Sequence, residues 1–383
     1  MASQSMSKER LADLEELVRQ ETDSGWYYGA AIKVARHGET VLDLAVGYAD
    51  AEKTQPIATD SVFSVFSISK AFINVLTLRA IEQGRFALTT RMSDIVPEWS
   101  GAPRDKATIF HFLTHTTGVP GAWEPAPGYF VETLQQGFEG VIKYLHGTTE
   151  PGERCDYAPM ANHALLGEAL RRTDAKGRSI EDIVLEDLWE PLGMSDTRYG
   201  IKPHMRDRHV VPDMRGIIPI TSPSSTTEGD YGLYTAESNS VVWAGAASTT
   251  GDLQRFVEML RNDGEYEGAR ILSPRMVRLA RRVWTGDLPN ELYQTVALRN
   301  GYAVPPANIG LGFNVRGEGM YVTQLGTLTS PETFGNYGAG TGLIWVDPEH
   351  DISFVGLSAG LLDQNDNITR YQRISDMVIA AAL

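Results

Sequence analysis

Cysteine is almost absent from this chain. Cys155 is the only one in 383 residues, so no internal disulfide can form. Its neighbours Glu153 and Asp156 oppose thiolate formation, which makes it a small filler rather than a nucleophile. Excess positive charge is absent too: 34 basic against 49 acidic residues leave a net charge of −15. That balance argues against a nucleic-acid partner and gives no reason to expect an anionic membrane surface. No apolar run reaches the length of a membrane span. Met1 to Arg10 lack the apolar core of a secretory signal. Together these absences predict a cytoplasmic protein. There is no G-x-G-x-x-G after a strand, no Walker-type loop and no His/Cys/Asp/Glu cluster with metal spacing. No cofactor and no metal are expected.

The patterns that are present suggest an α+β chain. A helical period runs through Leu11, Leu14, Leu17 and Val18. Two strand-like runs follow, Ala30 to Arg36 and Thr40 to Tyr48, with His37-Gly38 between them as a hairpin signal. The middle of the chain reads as helix and loop. A helix is expected over Asp252 to Leu260. Strands return at Gly310 to Val315, Thr341 to Val346 and Asp351 to Leu357, and a helix at Asn367 to Leu383. Strands at both ends imply an antiparallel sheet flanked by helices and completed by the two termini. The expected division is a lobe of residues 1–80 plus 245–383 and a mostly helical lobe of 81–244, with the active site in the crevice between them. The long Pro212 to Tyr234 loop either borders that cleft or is a surface excursion.

One short motif carries chemistry. In Ser67-Ile68-Ser69-Lys70 a serine precedes a lysine by three residues, one helical turn, so both lie on one face. A desolvated lysine loses its proton readily and can serve as the base that a serine hydroxyl needs. The spacing alone is weak, since Ser5 to Lys8 repeat it in a polar stretch. Context separates the two. The run Ser61 to Phe66 reads as an extended approach, and Ala71 to Ile81 as a mostly apolar helix ending at Gly84.

With Ala107 to Gly118, Pro151-Gly152 followed by Tyr157, Leu165-Leu166-Gly167, Glu190 to Thr197, Ala244 to Leu253 and Ile309 to Phe313, the chain resembles the serine β-lactamase and penicillin-binding-protein superfamily. The order and spacing are closest to the class C β-lactamase-like branch, which includes family VIII carboxylesterases and acyltransferases. The resemblance implies a β-lactamase/transpeptidase-like fold. It makes Ser67 the acylated nucleophile, Lys70 its partner and Tyr157 either a base or a hydrogen-bond donor to the leaving group. It also implies an oxyanion hole from the Ser67 and Ala339 N–H groups.

Two motifs depart from the common pattern. Tyr157-Ala158-Pro159 lacks the asparagine of Tyr-x-Asn, with Asn162 as a partial replacement. Asn336-Tyr337-Gly338 stands where relatives carry Lys-Thr-Gly or His-x-Gly, so a neutral amide replaces a cation. Asn336, Tyr337 and Gly338 are expected to bind substrate, with Trp123 and Asn162. Tyr129, Phe130, Tyr231, Tyr234 and Trp243 are further candidates for the cleft wall. His111 and His115 read as packing or loop-fixing residues. The expected function is serine hydrolysis of a small-molecule ester through an acyl-enzyme. Acyl transfer, amide or D-peptide hydrolysis and a non-catalytic binding role are the alternatives.

Overall fold

The computed structural model describes residues 6–122, 124–129, 131–210, 236–340 and 342–382. Its largest element is a six-stranded antiparallel sheet. Strands β1 (Gly29–Arg36) and β2 (Glu39–Gly47) form the expected hairpin, with positive φ at His37 and Gly38 in its turn. β3 (Val62–Ser64), β4 (Arg198–Tyr199), β5 (His209–Val210) and β6 (Ala246–Ser248) make a second, small sheet in the order β4-β6-β3-β5. β7 (Glu265–Tyr266) and β8 (Ala269–Arg270) pair with each other. β9 (Asn314–Val315), β10 (Phe334–Gly338), β11 (Gly342–Asp347) and β12 (Ile352–Ala359) complete the large sheet, whose order is β2-β1-β12-β11-β10-β9. Chain ends therefore meet in its centre: Val34 of β1 lies opposite Phe354 of β12.

The two-residue period of the strands divides the core. Ile32, Val34, Leu343, Trp345 and Phe354 face one way, onto helices Lys8–Asp23 and Gln364–Ala380 through Leu14, Val18, Ile374 and Val378. Trp345 and Phe354, directly opposite in register, stack with centroids 5.2 Å apart. Ala31, Ile344, Val346, Val355 and Leu357 face the other way, toward helices Ser69–Glu82 and Thr250–Arg261.

Helix Ser69–Glu82 is apolar nearly all round, because it is buried on every side. Phe72 meets Trp189 and Phe256 edge-on at 5.5 and 5.1 Å. The expected strand Gly310 to Val315 shrinks to Asn314–Val315. Gly312 turns with φ +86°, and a Cβ there would lie 2.4 Å from the Asn74 side chain. Among the described residues no helix is long and apolar enough to cross a membrane.

Candidate active site

β3 runs straight into the turn that carries Ser67. After Val65 the backbone enters a single 3-10 turn, Phe66–Ile68, and then helix Ser69–Glu82. Phe66 has φ +45°, a left-handed conformation that costs a bulky residue about 1–3 kcal/mol. The strain is held by its surroundings. Phe66 is buried, Val65 N–H donates to the Ala246 carbonyl at 2.9 Å, and Ala246 N–H donates to Ser69 Oγ at 3.0 Å. Both ties run to β6, so the small sheet fixes the elbow that presents Ser67. On the other side β10 ends against the same turn. A Cβ at Gly338 would lie 2.4 Å from the Val65 carbonyl, so glycine is what lets the strand approach.

Ser67, Lys70 and Tyr157 come together. Tyr157 Oη lies 2.8 Å from Ser67 Oγ and 2.6 Å from Lys70 Nζ. Lys70 also donates to the Ser67 carbonyl at 2.8 Å. Among the described contacts Lys70 makes no bond to Ser67 Oγ, and the phenol bridges the two.

Burial holds the Lys70 ammonium well below the usual lysine range, with no carboxylate opposing it. A phenol acts as a base only where its pKa is lowered, and here burial is the larger effect and pushes Tyr157 up, outweighing its bond with Ser67. Tyr157 thus keeps its proton while Lys70 readily gives its proton up.

His115 is more than a packing residue. Its ring lies 5.0 Å from that of Tyr157, tilted by 36°, and 5.8 Å from His163. Its backbone is left-handed, with φ +56°. Asn162 Nδ2 donates to His115 Nδ1 at 2.9 Å, which leaves the proton on Nε2. Burial and then Lys70 push His115 down to about 3, and burial, His115 and Lys70 push His163 well below the ordinary range. Both rings are neutral. His163 Nδ1 lies 3.0 Å from the Pro159 carbonyl and Nε2 3.0 Å from Asn74 Oδ1, and the single N–H of the neutral ring donates to one of these two acceptors.

Asn162 is fully buried in this network, also accepting from Thr117 Oγ1 at 3.4 Å. The structure therefore does not bring it to the substrate cavity; it positions His115 beneath Tyr157. Asn336 is likewise displaced from its expected place. It is buried, donates to the Gly312 carbonyl at 3.2 Å and leaves Oδ1 without a hydrogen-bond partner. It lines a chamber of about 30 Å³ with Lys70, His115, Tyr157 and Asn290. Tyr337 lines that chamber too, and the bond to Gly312 keeps the Asn336 amide there.

Tyr337 and Gly338 do reach the open cavity, of about 490 Å³, with Ser67, Tyr157 and Ala339. Tyr337 also packs against Tyr293, ring centroids 6.2 Å apart. Trp243 is in the core against Gly137, and Tyr129 packs against Tyr144. Trp123, Phe130, Tyr231, Tyr234 and the Pro212 to Tyr234 loop lie outside the described residues. His111 caps helix Ile109–Leu113 by accepting from Thr108 N–H at 3.0 Å, a loop-fixing role. Burial, with Asp156 and Glu291, pushes the Cys155 thiol up to about 12, so it is inert. Among the described residues no group of three or more His, Cys, Asp or Glu side chains could hold a metal ion.

The cavity's far wall was not foreseen. It is helix Glu291–Asn300, which presents Leu292, Thr295, Val296, Arg299 and Asn300, and the start of the last helix, Asp363 to Asn365 and Asn367. The stripe has the i, i+3, i+4, i+7, i+8 spacing of a helix face. Only two of its five members are apolar, which hides the period in sequence.

The Beta-lactamase family model matches residues 14–376. Protein Rv1367c of Mycobacterium tuberculosis is 26% identical over 385 residues, covering 88% of this chain and 86% of its own. Among solved structures, a family VIII carboxylesterase superposes with TM-score 0.76 at 18% identity, covering 99% of this chain and 98% of its own. EstCE1, described as a hydrolase with promiscuous acyltransferase activity, gives TM-score 0.74 at 22% identity, over 97% and 99%. These two likenesses show the fold. With the family match spanning almost the whole length and the mixed helical and antiparallel architecture agreeing, this chain belongs to the beta-lactamase family, a group of serine hydrolases and acyltransferases.

Proposed function

We propose that this protein hydrolyses carboxylic esters of small molecules through an acyl-enzyme on Ser67. The carrying observation is the Ser67 Oγ–Tyr157 Oη–Lys70 Nζ chain, at 2.8 and 2.6 Å, opening on the cavity of about 490 Å³. Hydroxyl hydrogens rotate, so these oxygen positions serve a chain running from serine to lysine. As Ser67 Oγ attacks the ester carbonyl, its proton passes to Tyr157 and the phenol's proton passes to neutral Lys70. The Ser67 and Ala339 N–H groups stabilise the oxyanion. Collapse expels the alcohol, which takes a proton back along the same chain. Water then attacks the acyl carbon and gives a proton to the relay; collapse breaks the bond to Ser67 Oγ, which takes that proton back, and the acid leaves. Each half-reaction returns Lys70 to its neutral state.

Esters are favoured over β-lactams because the third motif offers no cation and its amide faces the rear chamber. An alkoxide also needs less help in leaving than an amine. Acyl transfer is the second reading. The polar far wall, with Thr295, Asn300, Gln364 and Asn365, offers hydrogen bonds to an alcohol or amine that replaces water in the second half-reaction. The test is labelling with a fluorophosphonate and turnover of short-chain p-nitrophenyl esters, with and without an added alcohol. Wild-type chain should be labelled once and should hydrolyse the esters, and Ser67→Ala should do neither. Folded wild type that takes no label would favour a binding protein that keeps this fold.

A further inference from the structure

The two ends of the substrate cavity differ in chemistry. Leu292 lines both the main cavity and the rear chamber that holds Lys70 and Tyr157, so this end of helix Glu291–Asn300 sits by the reacting groups. Arg299 lies seven residues further on the same face, about 10 Å along the helix axis. Between them the wall is Val296 and Tyr337. Two charged residues line the cavity. Asp363 is occupied as the N-cap of the last helix, where it accepts from Asp366 N–H at 2.9 Å and its charge meets the positive end of the helix dipole. Arg299 makes no ion pair and no hydrogen bond among the described residues. Beside it Asn365 takes the Tyr302 hydroxyl on Oδ1, which leaves its Nδ2 group as the free donor.

We propose that Arg299 is a specificity-determining residue. It receives a carboxylate at the far end of the substrate, separated from the scissile carbonyl by several methylene groups that pack on Leu292, Val296 and Tyr337. The substrate class is then the monoester of a medium-length dicarboxylic acid, or an ester of similar span and charge. This rests on the reading of the same cavity as an ester site. It also fits the lack of a cation at the third motif. A β-lactam carries its carboxylate next to the scissile bond, whereas here the free cation is about 10 Å removed from the reacting end.

Binding and turnover are measured separately. Ser67→Ala protein is titrated calorimetrically with monomethyl glutarate, adipate and suberate, and with the methyl esters of hexanoic and octanoic acids. The carboxylate should tighten binding about fivefold at the best chain length, the scale of one solvent-exposed ion pair. In Ser67→Ala/Arg299→Gln that advantage should vanish, and in Ser67→Ala/Arg299→Lys most of it should remain. Equal binding of charged and neutral esters, or an advantage untouched by Arg299→Gln, overturns the proposal. Wild-type turnover of p-nitrophenyl octanoate tests the hydrolase reading alone. No turnover with the carboxylate advantage intact would sink hydrolysis and leave the Arg299 site standing.

Discussion

Tyr157→Phe removes one oxygen and little else. The ring stays, so its packing on His115 at 5.0 Å is kept and the fold should hold. What goes is the atom that joins Ser67 Oγ to Lys70 Nζ, and the described contacts offer no direct route between them. Proton transfer by a positioned side chain contributes about 100- to 10,000-fold to rate, or about 3–5 kcal/mol of barrier. The two lost hydrogen bonds alone account for about 1 kcal/mol each, so a loss at the upper end measures the relay rather than packing. The assay is kcat/KM on p-nitrophenyl butyrate, with active sites counted by fluorophosphonate. Tyr157→Phe and Lys70→Met should each fall by at least a hundredfold, and the double variant should fall no further, because both manage one proton. In wild type kcat/KM should rise with pH as the Lys70–Tyr157 pair loses its proton, at an apparent value that belongs to the pair. The rise should lie below the ordinary lysine range, because burial lowers Lys70. A Tyr157→Phe protein that keeps a tenth of wild-type activity, or losses that multiply in the double variant, would refute the relay.

His115→Ala should admit water beneath Tyr157 and move the acid limb of the pH–rate profile upward by about one unit or more; a purely structural role would lower the melting temperature and leave the limb in place. Lys70→Met should change stability with a definite sign. In the wild type the folded lysine value is depressed, so between it and the unfolded value the unfolded chain binds more protons and stability rises with pH. The stability of Lys70→Met relative to wild type should therefore be greatest on the acid side and shrink as pH climbs toward 10; a difference that does not vary with pH counts against a buried neutral amine. Nitrocefin and penicillins should be turned over about ten- to a hundredfold less efficiently than activated short-chain esters, from the loss of one charged hydrogen bond, and efficient penicillin hydrolysis in steady-state assays would overturn the account of the third motif.

The fold was readable where one physical signal dominated. The hairpin β1–β2 follows from alternation and a His-Gly turn, and the helix after Ser67 from an apolar run that ends at Gly84, φ +72°. Ser67 and Lys70 stood out because few residue types at that spacing can do such chemistry, and Tyr157 by resemblance to the family; the structure brings the three side chains together. Two things stayed hidden for different reasons. Asn336 and Tyr337 are adjacent, and a string of letters does not say which of them reaches the open cavity; in the fold Asn336 is bonded to Gly312 in the rear chamber, while Tyr337 lines both spaces. The wall of Glu291–Asn300 was missed because a helix that lines a cavity need not be apolar on its inner face. Only Ala297 of its ten residues is buried, so burial exerts almost no pressure on its sequence.

The two altered motifs can be read as one adjustment. A cation at position 336, as relatives carry, would stand in the rear chamber with Lys70 and Tyr157. A positive charge there stabilises a phenolate and so lets the tyrosine hold the negative charge when serine loses its proton. Here position 336 is a neutral amide, and the chamber's other wall is a neutral imidazole whose tautomer Asn162 sets. Nothing positive other than Lys70 faces the phenol, and burial keeps its proton in place. The proton then has one stable destination, the lysine. The loss of the cation and the recruitment of Asn162 to His115 thus act in the same direction. On the proposed mechanism they make Tyr157 a carrier and Lys70 the acceptor, in a chamber whose other lining groups are uncharged. Restoring a cation with Asn336→Lys should accordingly depress Lys70 further and shift negative charge to Tyr157. Activity should then depend less on Lys70, so that Lys70→Met costs less in the Asn336→Lys background than in wild type.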